Sequence, residues 1–301
     1  MMKDKETSWV YLILLLPPIF WAGNSVLARA VADLIPAIAL SFWRWTLALA
    51  VLLPFTWRLV LRDWPAIRRS WLIVFLLGLF GIGSFNTLLY TAAHTTTVIN
   101  IALAQAVMPA VIVLMSFVLY RDRIAPRQLF AIVLCMAGAG YVVIHGDLDR
   151  LLAMKIAVGD LLMLLAVVLY AAYSVLLRKR PAIHPLSFLT ATFAVGVVLL
   201  LPLYLWEAQS TPPLTLSQPV VLSLLYVAIC PSILAYLCWN RGIQEIGANR
   251  AGLYINLIPL FAALMAVGFL GERFQTYHLV GILMIAAGLV LFNIPLKRKK
   301  G

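Results

Sequence analysis

The chain has 301 residues, of which 64% are hydrophobic and 11% charged, and its formal net charge is +12. An average soluble domain carries about 25% charged residues, and a single core could not cover this much apolar surface. The composition excludes a water-soluble globular protein and makes lipid the solvent.

A bilayer core of about 30 Å needs about 20 apolar residues per helix. In chain order, apolar runs fall near 9–32, 36–57, 71–93, 97–120, 127–145, 157–178, 186–206, 219–241, 248–270 and 277–296. They predict an all-α membrane protein with ten transmembrane helices. Barrel strands would alternate apolar and polar residues, whereas Val111–Tyr120 and Val198–Leu203 are almost continuously apolar. Connections are short, and no run is polar and long enough for a separate soluble domain.

The first run has a signal-peptide look, with Ala28-Arg29-Ala30 as a small-residue cleavage site. The repeat described below argues that it is retained. The cysteines Cys135, Cys230 and Cys238 all fall inside runs without metal-ligand spacing, so they read as packing residues. No cofactor or metal is expected.

The basic charge is one-sided. With ten spans and the N-terminus inside, eighteen of the twenty-three Lys and Arg fall on one face. They are Lys3, Lys5, Arg58, Arg62, Arg68, Arg69, Arg121, Arg123, Arg127, Arg178, Lys179, Arg180, Arg241, Arg250, Lys297, Arg298, Lys299 and Lys300. Arg29, Arg150, Lys155 and Arg273 lie opposite, and Arg44 lies inside a span. This positive-inside pattern places both termini in the cytoplasm and makes nucleic acid an unneeded partner. Trp9, Tyr11, Trp57, Trp71, Trp206 and Tyr277 sit near run ends, as interfacial anchors do.

Shifted by 149 residues, the chain matches itself. Phe20–Ala30 lies over Leu169–Lys179 with five of eleven positions identical, Pro36 over Pro185, and Trp57 over Trp206. A shift of 150 then places Pro109 over Pro259, Asp122-Arg123 over Glu272-Arg273, and Ala137-Gly138 over Ala287-Gly288. The halves 1–150 and 151–301 hold five spans each. An odd number makes the second half enter from the opposite face, giving two inverted five-helix repeats. Such repeats build transporters with a site near the bilayer midplane, although a duplication can also simply enlarge a bundle.

The segments Tyr90-Thr-Ala-Ala, Leu103, Pro109 and Leu119-Tyr-Arg-Asp-Arg123, with their partners Asn240, Pro259 and Phe269-Leu-Gly-Glu-Arg273, resemble the two EamA repeats of the drug/metabolite transporter superfamily. The first copy departs from the pattern, with Tyr120-Arg121-Asp122 in place of Leu-Gly-Glu. The resemblance covers nearly the whole chain and is greatest to bacterial exporters of amino acids and related metabolites, including the YddG type. It implies a multi-pass protein of the bacterial inner membrane whose partners are a small-molecule substrate and the lipid bilayer. It also implies peripheral fifth and tenth spans.

Pro109 and Pro259 are expected to kink equivalent helices, for packing or to shape a path. Glycines at 78, 81 and 83 and small residues at Ala137–Gly140 and Ala286–Gly288 allow close helix contact. Trp21, Asn24, Tyr170 and Tyr173 fall near the midplane, with Trp43 and Arg44 close by. Phe85, Asn86, Tyr90, Asn100 and Gln105 lie deep on the outer side. Tyr236, Trp239, Tyr254 and Asn256, with Asn240, lie deep on the inner side. Buried amides and phenols need partners, so these residues face other helices or an aromatic, amide-lined cavity suited to a small amphipathic solute.

Arg44 inside a span costs at least about 2.5 kcal/mol on insertion scales. A structural role is favoured over binding of a substrate carboxylate. No Asp or Glu lies at mid-depth, Asp160 being nearest, and His94, His145, His184 and His278 fall at span ends. Facilitated transport is therefore favoured over tight proton coupling, with a role for His94 left open. A membrane enzyme would need clustered catalytic groups and a channel a ring of charge; neither pattern is present. Multidrug efflux and nucleotide-sugar exchange remain alternatives, and the oligomeric state is open.

Overall fold

The computed structural model describes residues 9–31, 33–152, 157–270 and 273–294. Lys3, Lys5, Lys155, Gly271, Glu272 and the basic run Lys297–Lys300 lie outside the described residues. Among the described residues, nine helices are long and apolar enough to cross a membrane. They are α1 (Trp9–Leu27), α2 (Ala37–Arg69), α3 (Trp71–Ala92), α4 (Asn100–Tyr120), α5 (Pro126–Val143), α6 (Val158–Lys179), α7 (Pro185–Glu207), α8 (Gln218–Ile246) and α10 (Thr276–Asn293). Between α8 and α10, residues 248–270 form α9. It is broken into a turn Ala248–Gly252, a 3-10 stretch Leu253–Asn256 and a helix Leu257–Leu270.

Two expected boundaries move. α2 continues to Arg69 through Pro54 and Pro65 instead of ending near 57, and α8 continues to Ile246. Arg58, Arg62, Arg68 and Arg69 are therefore helical. Long cationic side chains permit this because their stems stay apolar while their heads reach water.

Repeat-equivalent helices pair antiparallel, as an inverted relation requires. α2 and α7 meet at both ends and in the middle. The Glu207 carboxylate accepts from the Ile38 and Ala39 N–H groups at 3.0 and 2.7 Å. Thr56 and Thr190 share a 2.9 Å hydroxyl bond. Asp63 accepts from the His184 N–H at 3.0 Å. Each helix thus has its N-terminus, where backbone donors are left open, capped by a carboxylate from the far end of the other. Glu207→Ala is expected to lower stability by about 1 kcal/mol, read as a fall in Tm by fluorescence-detected unfolding. An unchanged Tm would remove the cap from the account.

α5 and α10 pack through the predicted small residues. A Cβ on Gly288 would lie 2.4 Å from Cys135 Sγ and 2.8 Å from the Ala131 carbonyl, and one on Gly281 would lie 2.2 Å from Val142. Only glycine allows this approach.

The proline expectation is sharpened. Pro109 does not sit inside a continuous helix. α4 turns at Val107, and Pro109 begins the second piece, Met108–Tyr120, where its missing N–H removes no helix bond. Pro259 likewise follows the 3-10 stretch of α9 by three residues.

The largest irregularities are not at those prolines. α3 and α8 each contain a π-helical stretch, Gly78–Ser84 and Ile229–Leu234, at equivalent places. In α8 the cause is Pro231, which has no N–H to give the Val227 carbonyl. The Ser232 hydroxyl takes over that carbonyl at 2.7 Å. In α3 the three glycines permit the wider turn, and the Ser84 hydroxyl reaches Leu79 O at 2.7 Å. In lipid such repairs are obligatory.

Candidate functional site

The two π-stretches meet the other repeat through equivalent carbonyls. Gly81 O accepts from the Tyr236 hydroxyl at 2.5 Å. Pro231 O, 150 residues later, accepts from Trp21 Nε1 at 3.1 Å and from an Arg44 terminal nitrogen at 3.0 Å. Each half thus holds the other by a backbone oxygen that an ordinary helix would keep for itself.

Arg44 is fully buried and is the hub of the polar network. Its Nε donates to Ser232 Oγ at 2.6 Å. One terminal nitrogen serves Asn24 Oδ1 at 3.0 Å, Asn86 Oδ1 at 2.8 Å and the Tyr90 hydroxyl at 2.9 Å. The Trp45 ring lies 4.8 Å away. Every acceptor is neutral. The ion pairs among the described residues, Arg62–Asp63, Asp147–Arg150, Asp122–Arg178 and Arg241–Glu245, all lie elsewhere. A guanidinium spreads its charge over several donors, which suits this solution better than an ammonium would.

At the place equivalent to Arg44, the second repeat has Phe193, also fully buried. It packs on Trp45 at 4.9 Å and Tyr236 at 6.2 Å. The second half therefore supplies an aromatic layer where the first supplies a cationic hub. Trp21 is edge-on to Tyr170 and Trp239, with centroids 5.8 and 5.3 Å away, and Tyr173 lies 5.4 Å from Tyr170.

Between hub and layer is a small cavity of about 20 Å³. Of the expected residues, Trp21, Asn24, Phe85, Asn86, Gln105, Tyr170 and Tyr236 line it. It has room for about one water, so the structure is closed around its centre. Arg44, Tyr90, Tyr173 and Trp239 stand behind this lining.

Four expected residues go elsewhere. Trp43 lines an apolar groove of about 620 Å³ with Tyr204, between α2, α7 and α8. Asn100 binds both carboxylate oxygens of Asp160, at 2.9 and 3.0 Å, and Asp160 is also bound by Thr96. Tyr254 and Asn256 are buried in the 3-10 stretch of α9, and neither lines the cavity. Ser232 and the Pro231 carbonyl join the Arg44 network although the sequence did not single them out for it. The Pro-Ser pair inside an apolar run was their signal. No group of three His, Cys, Asp or Glu side chains among the described residues could hold a metal.

Two hydrogen bonds flank the cavity and are repeat equivalents with their partners exchanged. In the first half, the Tyr90 hydroxyl of α3 donates to Asn24 Oδ1 of α1 at 2.8 Å. In the second, the Tyr173 hydroxyl of α6 donates to Asn240 Oδ1 of α8 at 2.7 Å.

The sequence model of the EamA-like transporter family matches twice, at residues 8–144 and 157–294. The chain belongs to the EamA-like transporter family. It is a multi-pass membrane protein and a transporter by family. Similar proteins include the uncharacterized transporter YyaM of Bacillus subtilis, 27% identical over 93% of this chain and 92% of the relative. An uncharacterized transporter of Archaeoglobus fulgidus is 28% identical over 94% and 97%. Protein PecM of Dickeya dadantii is 29% identical over 79% and 80%. A solved crystal structure superposes with a TM-score of 0.77 over 95% of this chain and 96% of its own, at 18% identity, and this likeness concerns the fold. The two matched segments begin 149 residues apart.

Proposed function

We propose that this EamA-family protein moves amino acids or related small metabolites across the bacterial inner membrane by alternating access. The substrate occupies the cavity between Asn24 and Asn86 on one wall and Tyr170 and Tyr236 on the other. Both termini face the cytoplasm, as the Lys/Arg asymmetry favours. The halves 1–150 and 151–301 contribute one latch each. Amides offer both donors and acceptors to a zwitterion, and the rings cover its apolar part. A cationic drug or dye would meet the charge of Arg44, with no carboxylate lining the cavity. Flux down a gradient is the favoured mode, because no Asp, Glu or His lines the cavity and His94 is exposed.

The exchanged Tyr–Asn pairs carry this reading. On the proposed orientation, Asn24–Tyr90 closes the outer side and Tyr173–Asn240 the inner side. Both are formed, which accounts for the collapsed cavity. Opening one latch at a time would expose the site alternately, and each latch is worth about 1 kcal/mol, small enough for a substrate to break.

The test uses a chain with Cys135, Cys230 and Cys238 replaced and Ser25→Cys in the cavity wall. Tyr173→Phe should increase labelling by an impermeant thiol reagent from the cytoplasmic side. Tyr90→Phe should increase it from the outside. The same change from both sides in both variants would contradict the proposal.

A further inference from the structure

A second cavity, of about 690 Å³, opens where the α4–α5, α6–α7 and α8–α9 connections meet. Arg123, Arg178, Arg180 and Arg250 line it against a single carboxylate, Asp122. Asp122 is taken by Arg178 at 2.9 Å. Arg180 is half-buried with its guanidinium over the Phe188 ring at 5.4 Å, and it enters no ion pair among the described residues. Burial lowers its pKa from the ordinary arginine value, and Arg241 acts in the same direction. A guanidinium nevertheless stays charged. The positive-inside bias needs cations in loops; it does not need one half-buried in a cavity wall without a counter-ion.

Two neutral groups in the same wall also lack partners. Ser174 is fully buried, and its hydroxyl has no hydrogen-bond partner. The Tyr120 hydroxyl is in the same condition. Ser174 follows the latch residue Tyr173. It also stands one helical turn from Tyr170, which lines the central cavity. Ser174 of the large cavity and Tyr170 of the small one are thus neighbours along α6.

We propose that this cavity is a recognition site for the carboxylate of the transported solute, with Arg180 as the anion-binding group and Ser174 and Tyr120 as hydrogen-bonding neighbours. The inference rests on the transport reading above and adds a selection step before the inner latch. A carboxylate pairs with a guanidinium through two hydrogen bonds, and a cavity lined by one sign of charge concentrates the opposite sign.

The experiment compares amino acids with their carboxamides, which lack only the acidic group, using the purified full chain. Binding is read as thermal stabilisation in detergent. Transport is read as flux in proteoliposomes loaded so that the Arg180 side faces the labelled solute. The acids should bind and move, and the carboxamides should do so about tenfold less well. Arg180→Gln should raise KM for the acids about tenfold with turnover little changed, and Arg180→Lys should recover part of the loss. An unchanged KM in Arg180→Gln, or carboxamides equal to acids, overturns this site and leaves the transport reading standing. Neither binding nor flux of any acid by the unaltered protein overturns both.

Discussion

Arg44→Met is expected to abolish flux and to destabilise the protein by about 3 kcal/mol. Met fills much of the volume without a donor. Five acceptors then lose the same partner: Ser232 Oγ, Asn24 Oδ1, Asn86 Oδ1, the Tyr90 hydroxyl and Pro231 O. Most keep another bond: Pro231 O to Trp21, Asn24 and Tyr90 to each other, and Ser232 to Val227 O. Asn86 Oδ1 loses its partner in a low-dielectric interior, where such an orphan costs about 1–3 kcal/mol. Arg44→Lys is expected to be intermediate, because an ammonium has three donors and no planar fork. Thermal unfolding in detergent gives the stability change and proteoliposome flux the activity. Arg44→Met with native Tm and native flux would make Arg44 a bystander. The charge itself is expected to matter less than the donors, since no described carboxylate answers it.

Gly81→Val is the second large effect. A Cβ at Gly81 would lie 2.4 Å from the Tyr173 ring. The ring is fully buried and held by Asn240, so it has nowhere to retreat. The same residue offers its carbonyl to Tyr236. A bulky side chain here must break the inner latch, disturb the π-stretch, or both. Overpacking of this kind costs about 1–3 kcal/mol. The expected result is loss of transport with partly retained fold, and increased labelling of Ser25→Cys from the Arg180 side. Gly81→Val with normal flux and unchanged labelling would show that Tyr173 does not need its place.

The gross architecture was legible because lipid imposes simple rules. Apolar runs gave the helices. The 149-residue self-match marked equivalent helices, and in the structure α2 meets its equivalent α7 and α5 its equivalent α10. Helix ends were less legible. α2 runs twelve residues past its apolar segment to Arg69, because a helix can leave the bilayer without breaking. The ninth segment reads as one apolar run in the sequence, yet it is interrupted at Leu253–Asn256.

The polar network of the candidate site was legible by residue type and depth. Asn24, Asn86, Tyr90 and Arg44 stood out as polar groups that hydrocarbon cannot solvate, and the structure gathers all four. The same rule selected Asn100, which found Asp160 instead, and Trp43, which faces an outer groove. Depth does not reveal which way a helix face turns. Ser232 was passed over because serine alone is weakly polar; its importance comes from Pro231 beside it, which frees the Val227 carbonyl. The π-stretches have no hydrophobic signature of their own, since one extra residue per turn leaves an apolar run apolar. The exchanged Tyr–Asn pairs were present in the self-match at 24 with 173 and 90 with 240, but a partner swap reads as a mismatch in sequence.

The central claim is that a closed cavity between the Arg44 hub and the aromatic layer is a transport site for small zwitterionic metabolites. Flux of labelled amino acids and cationic dyes into proteoliposomes of the purified protein, with and without a pH gradient, tests it most directly. The expected result is saturable flux of at least one amino acid, independent of the pH gradient and lost in Arg44→Met. Flux of dyes alone, or no saturable flux of any amino acid, would contradict it.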